Sequence, residues 1–167
     1  EYHYLSLFPL AGPISIYPKI ADALRQTCPH GSEVVMQDVG AIPFYSEVNT
    51  IDIIGLVNKD LAHYFYGMHY SDYLRGRLPL NTTQNVDAYV RDYIIERQQA
   101  DYVLYHVDSG NANDLRYSFH FHNLGFDPRF QRLYRNVAEF RYPVTGRVDY
   151  ILFERVKLDS TRRNRSS

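Results

Sequence analysis

A chain of 167 residues with a hydrophobic fraction of 45% suits one domain with a real core and is too apolar for disorder over most of its length. A formal charge of -1 gives no general attraction to nucleic acid or to an anionic membrane surface, so no nucleic-acid partner is expected. The single cysteine, Cys28, excludes an internal disulfide framework and a multi-cysteine zinc site.

The first residues, 1–13, are apolar and aromatic with Pro9 and Pro13 as breakers, and read as an edge strand or as a segment entering the domain. Residues 14–27 predict a helix, because Ile16, Ile20, Ala21 and Leu24 keep helical spacing and Pro18 is tolerated in a first turn. Cys28-Pro29-His30-Gly31-Ser32 ends it. Two short apolar strands follow, 33–37 and 50–54, separated by a polar turn that begins at Asp38. Asn58 is a helix N-cap for 59–66. Residues 67–83 read as irregular surface chain, and 85–99 as the clearest helix, with Val86, Tyr89, Val90, Tyr93 and Ile94 on one face.

A strand over 101–107 comes next, then a loop by composition from Asp108 to Asp114. Asp127-Pro128 predicts an N-cap followed by proline at the first helical position, opening a short helix to about Leu133. Strands over 136–142 and 147–156, joined through Pro143-Val144-Thr145-Gly146, predict an antiparallel hairpin. The fold expected is α/β: a mixed, partly parallel sheet flanked by helices, closed by that C-terminal hairpin. It forms a single domain over 1–157, with 158–167 a polar, disordered tail.

In an open α/β sheet, ligands gather beyond the carboxyl ends of parallel strands. Asp38 ends one strand, with Gly40 and Pro43 shaping the turn and Tyr45 and Ser46 adding hydroxyls. Asp52 lies inside the next strand, where a buried acid needs partners. His106 and Asp108 end the later strand, and Asp38 and Asp108 face one crevice if the three strands run parallel. Asp38, Tyr45, Ser46, Asp52, His106 and Asp108 are therefore the candidate substrate-binding residues. A second reading stays open, in which Asp38 caps its turn by bonding backbone N–H groups. A second constellation, Ser118-Phe119-His120-Phe121-His122, puts two imidazoles on one face of a strand and, with His106 and Asp108 as further ligands, would serve a metal-dependent hydrolase. Phosphate-binding glycine loops, dinucleotide fingerprints and activated-serine motifs are absent. The 16 Tyr and 9 Phe favour half-buried aromatic surfaces, whereas the lack of Trp weakens a sugar-stacking groove.

The stretch from Val34 to Ala62 resembles the C-terminal soluble region of bacterial multi-pass membrane glycosyltransferases of the GT-C type, the arabinofuranosyltransferase-like and mannosyltransferase-like groups. The resemblance rests on two halves. One is Asp38, Gly40, Ile42, Pro43, Phe44, Tyr45 and Ser46; the other is Ile51, Asp52, Gly55, Leu56 and Asn58. The preceding helix with Tyr17, Ile20, Ala21 and Leu24 and the phrase Cys28-Pro29-His30-Gly31 also fit, and Ala100 to Leu104 and Tyr150 to Arg155 match in outline. The resemblance implies a domain on the periplasmic face of the inner membrane, joined to an N-terminal transmembrane region of the parent chain. It implies use of a polyprenyl-phosphate sugar by that membrane part, with this domain holding a glycan or glycolipid acceptor. No cofactor is then expected here, and the isolated domain is expected to lack transferase activity. A chain opening at Glu1 reads as an excised piece of such a parent. The alternatives are the free-standing hydrolase and a non-catalytic glycan-binding or interaction module.

Overall fold

A computed structural model describes residues 16–66, 72–73, 77–107, 121, 123–143 and 145–156. The segment 1–15, the residues Asp108, His120 and His122, and the tail 158–167 lie outside the described residues. Five strands form one sheet. They are β1 (Glu33–Met36), β2 (Asn49–Asp52), β3 (Tyr102–His106), β4 (Tyr134–Arg141) and β5 (Val148–Arg155). Their spatial order is β2-β1-β3-β5-β4. β1 pairs parallel with β2 and β3, while β5 pairs antiparallel with β3 and β4, so the mixed sheet and the closing hairpin are both present.

Side chains alternate across this sheet, as the two-residue period of a strand requires. Val34, Met36, Tyr102, Leu104, Tyr150 and Leu152 point to one face. Val35, Val103, Tyr105, Ile151 and Phe153 point to the other. Both sets are buried, which is why the central strands read as continuous apolar runs. The first face is covered by helix α1 (Tyr17–Thr27), whose Ile20, Ala21 and Leu24 are buried, and by α2 (Ala41–Ser46) through Ile42. The second is covered by α3 (Lys59–Phe65), α4 (Leu80–Asp92) with its extension, and α5 (Pro128–Leu133).

The expected N-caps are made. The Asn58 side chain accepts from the N–H groups of Asp60 and Leu61, and the Asp127 side chain accepts from that of Arg129. Arg129 also pairs with Asp92 and Asp127 at 2.7 Å and with Glu96 at 3.3 Å, tying α5 to the long helix. The Arg129 hydrogen bond holds the Asp127 carboxyl below its ordinary range.

Three sequence expectations are corrected. The Asp38 turn contains a helix, α2, where only loop was expected. Ile42 and Ser46, four residues apart, share its buried face, a periodicity too short to read locally. The long helix starts at Leu80, five residues before Asn85, behind Pro79, which cannot continue a helix backwards but can introduce one. It does not end as an α-helix: Tyr93–Gln98 form a π-helical turn stopped by Gln99 in the left-handed region at φ 51°. The first strand pair is also shorter and shifted, with β2 covering 49–52 and not 50–54. Among the described residues no helix is long and apolar enough to cross a membrane.

Candidate functional site at the strand ends

Asp38 follows β1 by two residues, and its carboxylate is shared between two phenols. Tyr17 donates to Oδ1 at 2.8 Å and Tyr150 to Oδ2 at 2.6 Å. Tyr17 is the first residue of α1, and Tyr150 lies in β5 opposite His106 of β3. Tyr150 is therefore the hub: its hydroxyl is on Asp38 and its ring packs edge-on against Tyr17 and against His106, at centroid distances of 6.3 and 5.0 Å. Four elements far apart in sequence meet here because the parallel strands end where α1 and β5 begin. Tyr150 is buried, whereas Tyr17, Asp38 and His106 keep partial exposure.

Burial is the leading reason why both phenols hold their protons. It pushes Tyr17 up to about 12, with Asp38 adding to the effect, and it pushes the more deeply enclosed Tyr150 up further. Next to Tyr150, the Asp149 carboxyl is raised by burial, while His106 and Arg147 pull it back. A phenol raised in the folded state gives stability that is complete below its unfolded value of 10.0 and is lost as the pH climbs towards about 12 for Tyr17. Chemical denaturation at several pH values between 10 and 12 should show a falling midpoint, and Tyr17→Phe should flatten that fall. A midpoint that does not move with pH across this window would contradict the burial of the pair.

Asp52 behaves differently. It is 1% exposed and its carboxylate accepts from the N–H groups of Ile54 at 2.8 Å and Val57 at 2.7 Å. Its carbonyl accepts from Asn58 Nδ2 at 2.9 Å, and Asn58 Nδ2 also donates to the Tyr93 hydroxyl at 2.8 Å. Asp52 thus folds its own loop back on itself. Gly55, at φ +84°, completes that loop where a Cβ would sit 2.9 Å from the Ala62 nitrogen. Asp38 and Asp52 leave the same edge of neighbouring strands, in the register Met36 to Asp52, but their partners differ.

Ser46 is 2% exposed and turns its hydroxyl towards the Pro43 carbonyl, so it lies in the body of α2. Tyr45 is half-buried, with its ring edge-on to the exposed Phe44 at 5.1 Å and its carbonyl accepting from Arg25. The structure therefore brings Asp38 and His106 into one cluster, places Asp52 in an adjoining loop, and sets Tyr45 and Ser46 on α2. Among the described residues no group of three or more His, Cys, Asp or Glu is arranged to hold a metal ion.

Tyr17 and Tyr150 are the residues that sequence reasoning missed. Tyr150 stands 112 positions from Asp38, and neither tyrosine has a local signal beyond its place in a helix or strand. A cavity of about 290 Å³ opens at the opposite, amino end of the parallel strands, between the Pro29–Ser32 turn and Asp101, Tyr102, Glu154 and Arg155. It is remote from the Asp38 cluster, and the rule for open α/β sheets favours the carboxyl edge.

A family model described as a domain of unknown function (DUF8728) matches residues 11–157. The chain belongs to the DUF8728 family. The matched span of this DUF8728 domain runs through all five strands and includes Tyr17, Asp38, His106 and Tyr150. No curated protein and no solved structure matches the chain.

Proposed function

We propose that this DUF8728 domain is the extracytoplasmic part of a GT-C type membrane glycosyltransferase, set on the periplasmic face of the bacterial inner membrane. In this reading a transmembrane region of the parent chain carries out transfer from a polyprenyl-phosphate sugar, and the domain holds the glycan or glycolipid acceptor. The domain itself makes no covalent bond and uses no cofactor.

One observation carries the reading: Asp38, in the first half of the glycosyltransferase-like motif, is held by Tyr17 and Tyr150 at the strand edge where open α/β sheets take ligands. A carboxylate has about four lone-pair sites, and two phenols use two of them. The remaining acceptor capacity of the partly exposed Asp38 suits sugar hydroxyls, which donate to it. Asp52 and its loop support the neighbouring wall without offering a free carboxylate.

The test is a titration of the ¹⁵N-labelled chain with free and polyprenyl-linked oligosaccharides. Amide shifts are expected at Asp38, Val39, Gly40 and Tyr45, and Asp38→Asn should weaken binding about tenfold, a loss of about 1.4 kcal/mol. Silence at these amides across the whole panel would sink the proposal.

A further inference from the structure

Apart from tyrosine and cysteine, five polar side chains are buried among the described residues: Ser32, Gln37, Ser46, Asp52 and Asp87. Four of them are hydrogen-bonded. Ser32 and Ser46 donate to the Pro29 and Pro43 carbonyls. Asp52 accepts from two backbone N–H groups, and Asp87 accepts from Tyr73 at 2.6 Å and from Asn123 at 3.3 Å. Gln37 differs. It is 9% exposed, and its Oε1 is enclosed without a hydrogen-bond partner among the described residues. Thr50 Oγ1 is also unpartnered there, but Thr50 pairs with Val34, three residues back along the chain from Gln37.

An enclosed acceptor with no donor lowers stability, and folded proteins keep few of them. The place of this one gives it a use. Gln37 follows β1 directly and precedes Asp38. Extending the pairing of Val35 with Val103 sets Gln37 beside Tyr105 and Asp38 beside His106. The chain also changes direction here. From β1 it leaves through α2 to β2 on one side; from β3 it leaves through α5 to β4 on the other. The carboxyl ends of β1 and β3 therefore flank a topological switch point, the crevice where open α/β sheets bind ligands.

The two neighbours offer different chemistry. Ionised Asp38 only accepts, and it already holds two phenols. The Gln37 carboxamide accepts and donates, and rotation about its last torsion exchanges its oxygen and nitrogen. A sugar hydroxyl can meet either end of it. An anionic ligand would be repelled by Asp38, and an apolar one would leave Gln37 Oε1 unpaired. Successive residues of a strand turn to opposite faces, so a ligand that touches both lies across the end of β1.

We propose that Gln37 is a second glycan-binding residue of the Asp38 crevice, its carboxamide bonding a further hydroxyl of the sugar that Asp38 holds. The inference rests on the glycan reading and deepens it. It also carries a signature that a purely structural residue lacks. Replacing Gln37 by a side chain of similar size without a polar end removes the unpaired acceptor. The fold then holds or gains stability while binding weakens, the trade expected of a residue kept for a ligand.

The probe is a free mannose or arabinofuranose trisaccharide, whichever shifts the Asp38 amide more, titrated into the ¹⁵N-labelled full chain. The Gln37 side-chain NH₂ signals, assigned by their loss in Gln37→Met, should shift with the same saturation curve as the Asp38 amide. Gln37→Met should hold the melting temperature or raise it by up to about 3 °C, and should weaken binding about fivefold. Gln37→Leu should do the same, so that the fit of one side chain does not decide the result. A melting temperature lowered by more than about 3 °C in both variants would show that Gln37 is bonded in the free chain, for instance through water, and would overturn the proposal. So would static Gln37 side-chain signals, or unchanged affinity in the variants, while Asp38 responds; the glycan reading would then stand without Gln37. If Asp38 is silent as well, the glycan reading fails and this inference with it.

Discussion

Asp52→Ala should lower the unfolding free energy by about 3 kcal/mol, because two part-buried backbone N–H groups would each lose a charged acceptor. The carboxylate is 1% exposed and takes both Ile54 N–H and Val57 N–H, so no other group on that loop can stand in for it. Asp52→Asn keeps one carbonyl oxygen and should lose about half as much. Urea denaturation of the two variants measures both values. A loss below about 1 kcal/mol for Asp52→Ala would mean that the loop is not held by this residue. The change should leave the Asp38 cluster intact, since the two carboxylates share no partner.

The second large effect is a coupling. Asp38→Ala should cost about 2 to 3 kcal/mol, chiefly by stranding the buried Tyr150 hydroxyl. Tyr17 keeps access to solvent and can exchange its bond to Asp38 for one to water. In a Tyr150→Phe background the same alanine substitution should cost much less, with a coupling of about 1 to 2 kcal/mol between the two positions. Additive costs would show that the 2.6 Å bond contributes nothing to stability. The cycle also separates the roles of Asp38: stability is read from denaturation, and ligand contact from the glycan titration.

The residues that could be read in sequence were those whose signals are local. The N-caps at Asn58 and Asp127 depend on one side chain reaching N–H groups two or three positions away. The antiparallel hairpin depends on a proline and glycine turn between two apolar runs. The buried double-faced strands showed as unbroken apolar stretches. By contrast, α2 is too short for a periodic signal, and the π-helical turn at Tyr93–Gln98 looks in sequence like two more turns of α-helix. Its departure is stabilised by partners outside the helix, Asn58 among them.

The acidic residues divide along the same line. Sequence alone determined that Asp38 follows one strand and that Asp52 belongs to the next, because the turn chemistry and the apolar runs around them are contiguous; the structure moved Asp52 from inside that strand to its end. Only the tertiary structure decided what each carboxylate does. Asp52 finds its donors within five residues and closes a loop, whereas Asp38 finds them at Tyr17 and Tyr150, brought to it by the docking of α1 and the pairing of β3 with β5. A local pattern encodes the conformation of the backbone; the partner of a side chain is set by which elements pack together, and that depends on the whole apolar core at once.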